Sequence, residues 1–246
     1  MDRSAYIAMT GAAQMMRVQS EVAQNLANAD TVGFKAQMSA FTSVPVQGGG
    51  LPTRINAVYG STGWDMSSGN MMTTGRDLDV AVKGDGWIAV QDPQGQEAYT
   101  RAGQLKVDQT GLLTDNRGDP VLGDGGPITV PPGSSITVGA DGTISTVPLG
   151  ETPATVASVG RIKLVNPGND QLELGGDGLF HLKGGGQAPA DAQVKLASGM
   201  LEGSNVDTTD ALVHMIELSR QFEMEVRAIH TADDNDQASS KLLQMG

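Results

Sequence analysis

From Ala5 onward the positions Ala5, Ala8, Ala12, Met15, Gln19, Val22 and Leu26 follow a strict 3-4 spacing, which collects them on one narrow stripe of a helix. A second stripe of the same kind runs through Leu212, Met215, Ser219, Phe222, Val226 and Ile229, widened by Ile216. Seams this narrow belong to helices that pair, so the spacing predicts a discontinuous α-helical coiled-coil region built from the two ends of the chain. All 11 prolines lie between Pro45 and Pro189, which leaves both terminal segments without a helix breaker. Asp207, Thr208 and Asp210 crowd the start of the second helix, where unpaired N–H groups and the macrodipole favour them. Asp233-Asp234-Asn235-Asp236 is expected to pause it. Burying Met15, Val22 and Leu26 contributes roughly 2 kcal/mol each, against roughly 1–2 kcal/mol per residue for ordering the backbone. The terminal segments are therefore expected to need neighbours to stay folded.

Between the ends the period changes from helical to alternating. Gln37–Thr74 carries Pro45, Gly48-Gly49-Gly50 and Pro52 with little sustained periodicity, and reads as an extended connector with a short hairpin. From Leu78 to Ala197 short apolar runs recur: Leu78–Lys83, Trp87–Gln91, Ala98–Arg101, Leu105–Val107, Leu112–Thr114, Ile128–Val130, Ile136–Val138, Ile144–Thr146, Val159–Leu164, Leu179–Leu182 and Val194–Ala197. Turn signals such as Asn116-Arg117-Gly118 and Asp141-Gly142 separate them, the pattern of an antiparallel β domain. KGDGWIAV at 83–90 is echoed by GGDGLFHL at 175–182, which suggests two similar hairpin corners. The expected fold is mixed and mainly β: a terminal-helix region of 1–36 and 205–246, a connector of 37–74, and a β-rich outer domain of 75–204.

Composition narrows the chemistry. A net charge of -12 argues against nucleic acid and anionic lipid, because phosphate binding needs clustered Lys and Arg. The absence of cysteine removes disulfides, thiolate metal sites and cysteine nucleophiles. No run approaches the roughly 20 apolar residues of a membrane span. Tyr6–Met16, broken by Thr10, Gly11 and Gln14, makes a poor signal-peptide core, so export would need another route. Gly84-Asp85-Gly86-Trp87-Ile88-Ala89 has the letters of a dinucleotide fingerprint, but Trp87–Val90 continues as a strand where that motif needs a helix, so it reads as a hairpin turn. His181, His214 and His230 show no metal-ligand spacing, and no G-x-S-x-G elbow occurs. No catalytic residue, cofactor, metal or small-molecule substrate is assigned.

The stretch VAQNLANADTVGF at 22–34 ends the first helical pattern. Asn28 and Asp30 can cap backbone groups, Gly33 can take a positive φ, and Phe34 can anchor a local core. The amides of Asn25 and Asn28, one turn apart, can equally hydrogen-bond to neighbouring subunits and fix register there. The residues by themselves leave both readings open.

NLANADTVGFKA at 25–36 resembles the N-terminal signature of the bacterial flagellar axial proteins, which build rod and hook. LDVAVKGDGW at 78–87, YTRAGQLKVDQTGLLTDNRGDPVLG at 99–123 and SGMLEGSNVD at 198–207 are similar to the shared body of that family. The resemblance covers most of the chain. VPVQGGGLPTR at 44–54 and RQFEMEVRAIHTADDNDQASSKLL at 220–243 look most like proximal-rod members, with a distal-rod or hook-type subunit as the alternative within the family. It implies a non-enzymatic rod subunit that self-assembles through its terminal helices and transmits torque from motor to hook. It also implies export by the flagellar type III apparatus without a cleaved signal peptide, residence in the basal body across the periplasm, and other rod subunits as partners. Seam and signature together single out Ala12, Met15, Val22, Asn25, Leu26, Asn28, Thr31, Gly33 and Phe34, with Leu212, Met215, Ile216, Phe222, Val226 and Ile229, as assembly positions. The reading from a different class is a secreted β-rich carbohydrate-binding protein, for which Trp64, Trp87, Tyr59 and Tyr99 offer few stacking surfaces.

Overall fold

The computed structural model describes residues 3–45, 55–132, 134–148 and 157–244, so Gly48-Gly49-Gly50 and Pro52 lie outside the described residues. Helix α1 (Arg3–Ala27) covers the first seam without interruption. Past its end the Asn28 side-chain amide donates to the Gln24 carbonyl at 2.9 Å, taking up one of the acceptors that a helix terminus leaves unpaired. Helix α2 (Thr208–Gln244) starts on Asp207, whose Oδ1 accepts from the N–H groups of Thr209 at 2.8 Å and Asp210 at 3.2 Å. It then runs unbroken through Asp233–Asp236, where the sequence predicts a pause. Poor helix formers on a solvated face cost only about 0.7 kcal/mol each, and Gln237 Nε2 donates to Asp233 Oδ2 one turn back.

The chain packs into two compact units, one made of the residues up to Ala29, Ala36–Asp65 and those from Val206 onward, the other of Asp30–Lys35 and Met66–Asn205. In the terminal unit Gly11 faces Glu225, while Val18 and Val22 cluster with Leu218, so α1 and α2 run antiparallel. Of the α1 stripe Ala8, Ala12 and Val22 are buried, but Val18, off the stripe, is the residue of the helix most withdrawn from solvent, so the inward line shifts from Gln19 to Val18. On α2 the inward line is Ala211, Met215, Leu218, Phe222, Val226, Ile229 and Ala232, whereas Leu212, Ile216 and Ser219 face outward. Both lines share Met215, Phe222, Val226 and Ile229, and both satisfy a 3-4 spacing. The observed one buries Leu218 in place of a serine. Strands β1 (Gln37–Pro45) and β2 (Ile55–Trp64) complete the unit as an antiparallel hairpin with a bulge at Met38/Ser39.

In the β unit the central sheet is antiparallel, in the order Leu164–Val165, Trp87–Gln91, Glu97–Thr100, Phe180–Leu182, Leu172–Leu174. A three-stranded sheet joins Ser134–Val138, Thr143–Pro148 and Ala157–Arg161. The run expected as one strand over Val159–Leu164 divides here: it leaves the three-stranded sheet at Arg161 and enters the central one at Leu164, opposite Ile88. Buried Ile162 marks the change and bridges to Gly123. Ile128–Val130, expected as a strand, forms a bridge from Thr129 to Leu112 and backbone hydrogen bonds to Val121, Leu113 and Gly111 instead of a continuous strand. Val80, Val82, Ile88, Leu105, Leu113 and Ile144 are fully withdrawn from solvent and centre one apolar core. The echoed corners at 83–90 and 175–182 lead into strands on either side of Glu97–Thr100, and their aromatics meet: the Trp87 and Phe180 ring centroids are 4.7 Å apart.

Candidate assembly site

Two features stand out, one in each unit. In the terminal unit α1 and α2 each carry a second apolar face besides the one they bury against each other. On α2, Leu212 (50% exposed) and Ile216 (56%) point outward together with Val213 and Met224; on α1, Tyr6, Met9 and Met16 do the same. Of the other positions singled out from the sequence, Ala12 and Val22 are buried, and Met15, Leu26, Met215, Phe222, Val226 and Ile229 are half-buried. Exposed apolar residues spaced along a helix form surfaces of the kind that soluble monomers avoid.

The amides of the signature have partners inside the chain. Asn25 Nδ2 donates to the Gln37 carbonyl at 2.9 Å and its Oδ1 accepts from the Gln37 N–H at 3.0 Å, so the side chain mimics a paired strand and fixes where β1 begins. Asn28 closes the helix end as described. One turn before Asn25, Glu21 is buried and accepts from the Tyr59 hydroxyl, which ties β2 to α1. Burial, and then the hydrogen bond and charge of Glu21, push the Tyr59 phenol up to about 12. Glu21 is not among the positions that the sequence singles out, because an acidic residue beside a seam normally lies in solvent.

In the β unit Asp30–Lys35 threads into a buried ionic cluster. Lys35 Nζ lies 2.7 Å from Glu202 Oε1 and donates to the Ser67 carbonyl at 2.6 Å; Arg101 Nη1 holds Glu202 Oε2 at 2.9 Å. Glu202 Oε1 also accepts from the Gly69 N–H at 3.0 Å, and the Glu202 carbonyl accepts from the Gly33 N–H at 2.8 Å. None of the three charged side chains is more than 3% exposed. The Arg101 guanidinium stacks over Trp87, 5.2 Å from the ring centroid. Gly33 has a φ of 70°, and a Cβ there would stand 2.3 Å from the Arg101 carbonyl carbon, so any side chain would collide with backbone. Thr31 is exposed and its carbonyl accepts from the Phe34 N–H at 3.3 Å; Phe34, half-buried, accepts on its own carbonyl from the Asn205 N–H at 3.4 Å. Both Glu202 oxygens are committed to these partners, an arrangement suited to holding backbone segments together.

Lys35, Arg101 and Glu202 are invisible to periodicity, although each lies within one of the family-like motifs. A charge set among small and apolar residues, as in YTRAG and SGMLEGS, is the available signal.

Similarity to known proteins covers both units. Residues 81–146 match the family described as flagellar hook protein FlgE/F/G D1 domain, and residues 197–242 match flagellar basal body rod FlgEFG protein C-terminal. The flagellar basal-body rod protein FlgF of Escherichia coli strain K12 is 46% identical over 251 residues, covering all of both chains. The protein of that name from Salmonella typhimurium strain LT2 is also 46% identical over the whole of both chains. The flagellar basal-body rod protein FlgG of Bacillus subtilis strain 168 is 33% identical, over 94% of this chain and 96% of its own.

Proposed function

This chain belongs to the flagellar basal-body rod and hook protein family, and from that premise we propose that it is a structural subunit of the rod, polymerising through its terminal helices to pass torque along the shaft. The observation that carries the reading is the pair of two-faced helices: one face of each is spent within the chain, while Leu212, Val213, Ile216 and Met224 on α2 remain for other subunits. In the assembled rod these faces pack as an inner coiled-coil layer. Ala12, Met15, Val22 and Leu26 hold the seam with Met215, Phe222, Val226 and Ile229. Asn25, Asn28, Thr31, Gly33 and Phe34 set the path by which the chain leaves the helix, and the β unit forms the outer domain.

The 46% identity to rod proteins named FlgF, against 33% to the Bacillus subtilis FlgG, supports a proximal-rod position. The partners in this reading are adjoining rod subunits and the flagellar export apparatus, and the site of action is the basal body where it crosses the periplasm. Its work is mechanical, carried by packing contacts. A chain lacking Ala5–Leu26, supplied to a non-motile strain that lacks the full-length protein, should be found folded in its β unit and absent from isolated basal bodies. Incorporation of the truncated chain would refute the proposal.

A further inference from the structure

A second polar cluster lies in the β unit where three turns meet. Ligand atoms of Asp92, Asp177 and His181 all lie within 4.8 Å of one another. Asp92 stands at the end of Trp87–Gln91, where its Oδ1 accepts from the Gln94 and Gln96 N–H groups at 2.9 Å and 2.7 Å. Asp177 precedes Phe180–Leu182 in a turn whose Leu179 N–H donates to Oδ1 at 3.0 Å, leaving Oδ2 3.0 Å from His181 Nε2. A Cβ at Gly175 would stand 2.9 Å from that nitrogen, so a glycine there admits the imidazole.

A third carboxylate lies nearby. The Pro120 carbonyl accepts from the Gln91 N–H at 2.8 Å, which sets Asp119 beside Asp92. Arg117 donates to the Asp177 and Gly178 carbonyls, which sets the 115–119 turn against the 175–178 turn. Asp119 is 9% exposed, and its Oδ2 accepts no hydrogen bond among the described residues; Arg117 Nε is 3.6 Å away on a half-exposed side chain. Asp115 is fully buried, and its Oδ2 likewise has no donor among the described residues. Asp115 and Asp119 thus bring two further carboxylates, each with an oxygen that accepts no hydrogen bond among the described residues, into this region, offset by the half-exposed Arg117. Carboxylates are not withdrawn from water beside like charges without a compensating positive group.

We propose that Asp92, Asp177 and His181, with Asp119 beside them, form a binding site for a divalent cation of the Zn2+ or Mn2+ type, which braces the three turns. Carboxylate oxygen with one imidazole nitrogen is a donor set those ions take. Bonds of about 2.1 Å place tetrahedral ligands roughly 3.4 Å apart, so the ligand atoms of Asp92, Asp177 and His181, within 4.8 Å of one another, close by side-chain rotations of little more than about 1 Å.

Titration calorimetry of the full chain with Zn2+ alone, and separately with Mn2+ alone, tests this. One ion per chain is expected for at least one of the two metals. His181→Gln and Asp119→Asn should each weaken that binding by about tenfold or more, while His214→Gln and His230→Gln, on α2, leave it unchanged. Asp119→Asn should also raise the thermal midpoint of the metal-free protein, since it removes a buried like charge, which confirms that the variant folds. Absence of binding by both metals, or affinities in His181→Gln and Asp119→Asn equal to that of the unaltered chain, would overturn the proposal.

Discussion

Lys35 and Glu202, 167 positions apart in the chain, meet through a 2.7 Å contact in which the ammonium is 1% exposed and the carboxylate not at all. This pair fastens the end of the signature segment to the strand pair that Met200–Glu202 makes with Met71–Thr73. Glu202→Gln would leave the Lys35 and Arg101 charges facing a neutral amide in a site withdrawn from solvent. A loss of about 3–5 kcal/mol is expected, read as a fall in the urea midpoint. Lys35→Met, which leaves Arg101 and Glu202 paired, should cost less. Equal effects, or a Glu202→Gln cost below about 0.5 kcal/mol, would show that the cluster is not what holds this segment.

Gly33→Ala should destabilise the β unit by more than about 2 kcal/mol. The left-handed conformation accounts for about 1–2 kcal/mol, and the collision with the Arg101 backbone adds to it. Gly60, where an added Cβ would meet nothing within 4 Å and φ is not positive, is the control: Gly60→Ala should change stability by no more than about 1 kcal/mol. Thermal unfolding of the two variants side by side distinguishes them.

The Tyr59 phenol titrates at about 12 because the neutral form is favoured, first by burial and then by its hydrogen bond to Glu21. A folded value above the ordinary 10.0 means that its stabilisation is fully present below pH 10 and is lost as the pH rises through about 12. Tyr59→Phe should therefore flatten part of the stability loss over that window. Alkaline unfolding curves of the two proteins that remain parallel would contradict the tie between β2 and α1.

Leu218 and Ile216 separate the two faces of α2. Leu218→Ala removes a side chain 3% exposed and should cost about 2–5 kcal/mol of stability in the isolated chain. Ile216→Asp, at a position 56% exposed, should leave monomer stability within about 0.5 kcal/mol yet abolish incorporation into the rod. Chemical denaturation and a basal-body sedimentation assay read the two effects independently.

These positions also mark how far the sequence can be read. The α1 stripe is legible in part: Ala8, Ala12 and Val22 are buried where it puts them, while Val18, the most withdrawn residue of the helix, and Glu21 lie off it. On α2 two lines compete, Leu212/Ser219 and Ala211/Leu218, and only packing against Met15, Val18 and Val22 of α1 selects the second. Trp87–Gln91 is legible as a strand from its own apolar run. The division of Val159–Leu164 between two sheets is not, because it depends on Leu164 meeting Ile88, far away in the chain. For the same reason the positive φ of Gly33 can be anticipated from its place after a helix end, while the Lys35–Glu202–Arg101 cluster has no local period to announce it. The convergence of Asp92, Asp177 and His181 likewise arises only when separate turns come together.

A density map of isolated basal bodies tests the central claim most directly. The account predicts this chain in helical register within the proximal rod, its α1 and α2 in the inner layer and the Leu212/Ile216 face buried against an adjoining subunit. A rod from which the chain is absent, or in which that face stays open to solvent while the β unit makes the inner contacts, would contradict it.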